Sequence, residues 1–209
     1  RLTDAVLVGH SLGGHICGRF TALYPALVER LIMLDGMGPP GEADTGEQAT
    51  EWRHERWRTA IDHQLATYRR RSLADEAEAL SRLMKNNPGL SAHQAELLVR
   101  HGVEESGGGV VWKWDARVDS IWMSFSHAES EEAYQTIGCP VMLVTGSRSI
   151  EYWTGIRDNL DERDTDFYET DQLRKQALFK RADWEVIDNA GHMLHYDQPC
   201  AVADVIRKF

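Results

Sequence analysis

The sequence predicts an α/β protein: a mostly parallel sheet with flanking helices, interrupted by a long helical insertion. Three observations lead there. Residues 1–36 read as strand, helix, strand with short joints. Residues 137–209 return to strand and helix in alternation. Between them, residues 37–136 carry mainly helical spacing.

The first element is Asp4-Ala-Val-Leu-Val-Gly9, a wholly apolar run of the kind buried on both faces of a parallel sheet. A helix follows the small-residue turn after it, with Ile16, Phe20 and Leu23 on one face and a stop at Tyr24-Pro25. Val28 to Leu34 is a second apolar strand and ends in Asp35-Gly36. Met37 to Gly46, with its glycines and adjacent prolines, is a loop. In the insertion, Trp57, Ile61, Leu65 and Tyr68 recur at helical spacing, and Leu73, Ala77, Leu80 and Met84 mark another helix. Ser91-Ala-His-Gln94 is a capping box, and Gly102 is a stop for that helix. Residues Val110 to Trp114 alternate over a short extended stretch. Cys139-Pro140 then opens a third buried strand running to Gly146. The acid-rich stretch Asp158 to Asp171 reads as a solvated face or loop, and a helix is expected through Leu173, Ala177 and Leu178. Trp184 to Ile187 is a fourth strand, and a helix bearing Val202, Val205, Ile206 and Phe209 closes the chain.

Composition narrows the function. The 209 residues hold 23 Lys+Arg against 33 Asp+Glu, a formal net charge of −10. That balance excludes sequence-independent binding to a phosphate backbone, which needs a basic footprint. With 42% hydrophobic and 27% charged residues the chain is globular rather than disordered. No apolar run is long enough to cross a bilayer. Cys17, Cys139 and Cys200 are too few and scattered for a disulfide framework or a zinc site. With no export signal at the start, a cytoplasmic protein with reduced thiols and a small-molecule partner is expected.

The chemistry concentrates in Gly9-His10-Ser11-Leu12-Gly13, which fits the G-x-S-x-G nucleophile elbow. A serine on a sharp strand-to-helix turn has its hydroxyl lifted above the sheet. Side chains two positions either side would collide, so glycines stand there. The Leu12 N–H points at the same spot and can hold an oxyanion, helped by the field of the helix N-terminus. An apolar strand before and a helix after raise this pattern above a chance match. The serine needs a base, and His192 is the best placed of nine histidines. It follows the fourth strand, and loops after parallel strands share one edge. His195 competes but falls into the next helix, and His10 is a neighbour of the site rather than the base. An acid must hold the imidazole. Asp35, at the end of the second strand, and Glu151, after the third, are the candidates.

These segments together resemble the α/β-hydrolase superfamily. Gly9-His-Ser-Leu-Gly-Gly14 resembles its elbow, Cys139-Pro-Val-Met-Leu-Val-Thr-Gly146 the strand that usually leads to the acid, and Ala190-Gly-His-Met-Leu-His-Tyr-Asp-Gln-Pro199 the histidine loop. The resemblance implies a core of residues 1–36 and 137–209 with a helical cap at 37–136. Members commonly carry the acid three residues after the strand's glycine, where this chain has Ser149. A known variation moves it to the end of the strand after the elbow helix, which is Asp35. Asp35 is therefore the favoured acid and Glu151 the reserve. Members also place further strands ahead of the elbow, one of which gives a second oxyanion donor, so the core is expected to be N-terminally incomplete. The expected activity is hydrolysis of an ester-like acyl bond through Ser11, His192 and Asp35, with no metal or organic cofactor. The aromatics of the insertion, Trp112, Trp114 and Trp122 among them, are candidates with His10 for contacting an apolar or aromatic substrate. A non-catalytic use of the fold and a haloperoxidase-like perhydrolysis remain as alternatives.

Overall fold

In the computed structural model, described for residues 3–41, 47–66, 70–118, 120, 125–155 and 165–209, four strands pair in parallel. They are β1 (Ala5–His10), β2 (Val28–Leu34), β5 (Val141–Gly146) and β6 (Ala182–Ile187), in spatial order β1-β2-β5-β6. Helix α1 (Leu12–Leu23) and a 3-10 turn at Pro25–Leu27 connect β1 to β2, giving the expected parallel strand–helix–strand unit.

The two central strands are buried on both faces, and their period of two divides the core. Leu31 and Met33 of β2 and Val141 and Leu143 of β5 face one side, where they meet Tyr134, Ile137 and Phe179. Ile32, Leu34 and Val144 face the other and pack on Ile187, Leu194, Val202 and Val205. The last two belong to helix α9 (Pro199–Lys208).

One expectation about the first unit is corrected. Strand β1 is read from the sequence as covered on both faces, yet Val6 and Val8 are exposed. It pairs with β2 alone among the described residues, so it lies at an edge. On helix α1 the face of Ile16, Phe20 and Leu23 is exposed. Its buried residues are Gly14, His15, Gly18 and Thr21. Small residues face the sheet because the helix approaches closely: a Cβ on Gly36 would stand 2.7 Å from the Gly14 Cα.

The chain divides into two compact units, residues 1–44 with 126–209, and residues 45–125. Those boundaries lie outside 36 and inside 137 for physical reasons. Helix α5 (His127–Thr136) packs on α1 and sends Tyr134, almost wholly buried and stacked on Phe179 at 4.8 Å, into the sheet core. Residues 37–41 are held by helix α7 (Thr165–Gln176), whose Lys175 and Arg174 donate to the carbonyls of Pro39 and Gly41. Of the acid-rich stretch, residues 158–164 lie outside the described residues; Asp166 and Glu169 are exposed, whereas Asp171 is buried, as are Gln172 and Lys175 beyond it.

The second unit contains α2 (Glu47–Leu65), α3 (Glu76–Asn86), α4 (Ala92–Gly102) and an antiparallel hairpin of β3 (Val103–Ser106) and β4 (Gly109–Trp112). Leu73, Ala79, Val99, Val103 and Val110 form its core. Ser91 and Gln94 make the expected capping box, and α4 ends at Gly102. Trp57, Ile61 and Leu65 are exposed on α2. Among the described residues no helix is long and apolar enough to cross a membrane.

Candidate active site

The site grows from the carboxyl ends of the strands. Strand β1 stops at His10, and Ser11 takes φ 51° and ψ −121°, a strained conformation that turns the chain straight into α1. Gly9 permits the turn, since a Cβ there would lie 2.4 Å from the Gly13 carbonyl oxygen. The Ser11 N–H donates to the Leu34 carbonyl at 2.9 Å, tying the elbow to the end of β2. Leu12 opens the helix, so its N–H is among those with no intrahelical acceptor.

Asp35 stands one residue past β2, with φ 47° and its N–H on the Val144 carbonyl at 2.7 Å. His192 sits in the loop between β6 and helix α8 (Leu194–Asp197). Three bonds fix that loop: Asn189 N–H to Ser147 Oγ (3.0 Å), Arg148 N–H to the Ala190 carbonyl (2.9 Å), and Gly191 N–H to Asp197 Oδ2 (2.8 Å).

The outcome is a line of hydrogen bonds. The Ser11 hydroxyl lies 2.9 Å from His192 Nε2, and His192 Nδ1 lies 2.6 Å from Asp35 Oδ2. The His192 and Asp35 side chains are 5% and 4% exposed. Of the two acids, then, Asp35 is the one brought to the histidine. Glu151 lies on the short helix α6 (Ile150–Thr154), exposed and paired with Arg148 at 3.7 Å. Ser149, at the position where an acid is common, is fully buried and accepts the Gly146 N–H at 2.9 Å.

His10 is a neighbour, as expected. Its Nε2–H donates to the His192 carbonyl at 2.8 Å, and its ring lies 4.9 Å from that of His192. Burial drives its pKa from 6.5 down to about 4, outweighing the carbonyl contact that acts the other way. His195 turns into α8 and packs 4.5 Å from His10; burial and then the charge of His192 lower its pKa too.

Sequence reasoning missed three aromatic residues of the site. Tyr152 stacks on His192, 3.9 Å between centroids and 12° between planes, and Trp153 meets the same ring edge-on at 5.8 Å. An aromatic pair directly after the Ser147–Ser149 loop could have marked them. Tyr168, on α7, donates its phenol to Asp35 Oδ1 at 2.9 Å. Burial first, and then the charge of Asp35, raise its pKa well above the usual range, so it remains a donor. Of the tryptophans of the insertion, Trp112 packs against the core of the second unit and Trp114 is exposed, while Trp122 lies outside the described residues. Among the described residues no group of three or more histidines, cysteines or acids could hold a metal ion.

Residues 1–205 match the alpha/beta hydrolase family. The chain belongs to that family. Among curated relatives, it is 27% identical to a serine hydrolase-like protein of Danio rerio, over 97% of this chain and 59% of that protein. It is 22% identical to the esterase YbfF of Escherichia coli, over 100% of this chain and 68% of that protein. Among solved structures it resembles the thioesterase domain from the curacin biosynthetic pathway, with a TM-score of 0.73, 25% identity, and coverage of 100% of this chain and 68% of that one. The chain thus spans about three-fifths of the length of the serine hydrolase-like protein it matches.

Proposed function

We propose that this chain carries the nucleophile, base and acid of a serine hydrolase that cleaves an ester or thioester bond of a small substrate through an acyl-enzyme. The observation that carries the reading is the unbroken line from the Ser11 hydroxyl through His192 to the Asp35 carboxylate.

In this mechanism His192 Nε2 takes the hydroxyl proton as Ser11 Oγ attacks the acyl carbon. Asp35 keeps the Nδ1 proton in place, so that Nε2 is the free acceptor, and stabilises the imidazolium that forms. The Leu12 N–H donates to the oxyanion. His192 then returns the proton to the leaving alcohol or thiol. A water activated by the same nitrogen attacks the acyl-serine and regenerates Ser11. Tyr152 stacks on the ring that becomes cationic, and a π face beside a cation is favourable. Its half-exposed ring also suits an apolar or aromatic substrate group next to the serine.

The names of relatives support this class, since one is an esterase and another a thioesterase domain. The test is labelling of the full-length protein with a fluorophosphonate, alongside hydrolysis of 4-nitrophenyl and thiophenyl esters. Both signals disappear in Ser11→Ala if the reading holds. Undiminished labelling in Ser11→Ala overturns it.

A further inference from the structure

We propose that Tyr168 is a positioning residue for Asp35, and that helix α7 is the strut that keeps it there. This rests on the Ser11–His192–Asp35 reading.

A buried carboxylate has two oxygens to satisfy, and leaving one unpaired is costly. In Asp35 the first, Oδ2, faces His192 at 2.6 Å. The second, Oδ1, receives the Tyr168 phenol at 2.9 Å. With both ends tied, the carboxylate plane cannot swing about its last bond. Without Tyr168 only the bond to His192 would orient the carboxylate plane.

The helix that carries Tyr168 is gripped from the same stretch of chain that carries Asp35. Tyr168, Asp171 and Lys175 follow one another at i, i+3 and i+7 on its buried face. Lys175, 1% exposed, bridges Asp171 at 2.8 Å and the Pro39 carbonyl at 2.6 Å. Arg174 reaches the Gly41 carbonyl at 3.0 Å and Glu131 of α5 at 2.8 Å. The phenol and the carboxylate it addresses are thus locked at both ends of a short closed circuit running Asp35, residues 36–41, α7 and back. Such prior fixing spares the reaction the entropy of finding that geometry.

Tyr168 also packs with Ile150 and Trp153, so a purely structural role is the competing account. Electronics separates the two. A donor on Oδ1 draws charge from the carboxylate and weakens its hold on the His192 proton. Removing that donor leaves more charge on the carboxylate, and the acid limb of the pH–rate profile moves up.

The experiment uses full-length protein with 4-nitrophenyl butyrate as the probe. Tyr168→Phe keeps the ring and removes the hydroxyl. Loss of a hydrogen bond to a charged group lowers kcat about tenfold to hundredfold. KM changes by less than about twofold, since no ground-state contact to substrate is lost. The acid limb of kcat/KM moves up by roughly half a pH unit. In an Asp35→Asn background the same substitution costs less than about twofold more, because its effect passes through that carboxylate. Should Tyr168→Phe fail to fold, 2,3-difluorotyrosine at position 168 strengthens the donor without changing the ring, and the acid limb moves down instead. Parent-like kcat and pH profile in a folded Tyr168→Phe overturn the inference, as does a lowered melting temperature with an unmoved acid limb, or an unmoved limb in the fluorinated protein. If Ser11→Ala keeps its turnover, the underlying triad reading fails instead.

Discussion

Asp35→Asn, set beside Glu151→Gln, decides which acid serves the histidine. The His192–Asp35 pair is almost fully buried, with 2.6 Å between Nδ1 and Oδ2. In the charged state formed during attack, two unit charges stand about 4 Å apart between their centres. At the effective dielectric of about 20 that reproduces such sites, they attract by about 4 kcal/mol. Removing one charge therefore costs about a thousandfold in kcat. The asparagine amide adds to this, because a side-chain N–H facing Nδ1 favours the tautomer whose Nε2 carries the proton and cannot accept another. A total loss of about ten thousandfold follows, in line with such substitutions in serine triads. Glu151 faces solvent, and its pairing with Arg148 at 3.7 Å is an exposed ion pair of about 0–1 kcal/mol. Glu151→Gln therefore changes kcat by less than about twofold. The assay is steady-state hydrolysis of 4-nitrophenyl butyrate with active-site titration. If Asp35→Asn keeps more than a tenth of the parent kcat while Glu151→Gln loses it, the assignment is refuted.

Three further outcomes concern stability. Lys175→Met removes one of the two cations on buried Asp171, leaving Arg174 at 2.9 Å, and costs about 1–3 kcal/mol in urea unfolding; an unchanged stability contradicts a role for that pair. His15 is 2% exposed, and burial, then the nearby charge of Arg19, lower its pKa from 6.5 to about 4. The unfolded chain then binds a proton before the folded one does. Stability is full above about pH 6.5 and falls by up to about 3 kcal/mol as the pH drops through 4. Urea midpoints measured from pH 7 to 4 should show that fall, and a slope unchanged in His15→Gln assigns it elsewhere. Gly36→Ala places a Cβ 2.7 Å from the Gly14 Cα, so the backbone between elbow helix and acid must move. It is expected to destabilise by about 1–3 kcal/mol and to slow fluorophosphonate labelling, and a parent-like labelling rate speaks against that coupling.

What the chain disclosed in advance follows from where the chemistry restricts the choice of residue. The elbow from Gly9 to Gly14 was legible because a serine in that conformation demands glycine around it. His192 and Asp35 were legible as residues following strands on one edge. Hydrophobic periodicity, by contrast, failed wherever the inner face of a helix is not made of large apolar residues. On α1 the inward residues are Gly14, His15, Gly18 and Thr21, so the apolar face of Ile16 and Phe20 does not mark the side that packs on the sheet. On α7 the inside is Asp171, Gln172 and Lys175, paired charges and amides that look like a solvated stretch. Tyr168 was hidden for that reason: its partner lies 133 residues away, and nothing local distinguishes it from its neighbours.

The position of Asp35 also bears on how the site is shared along the chain. The proposed nucleophile and acid belong to a single strand–helix–strand unit, joined through the Ser11–Leu34 bond. The proposed base lies 181 residues beyond the serine, after β6, which pairs with β5 and not with β1 or β2. Two members of the proposed triad are thus a local matter and the third is a long-range one, so the site depends on the pairing of β6 with β5 as well as on the elbow itself.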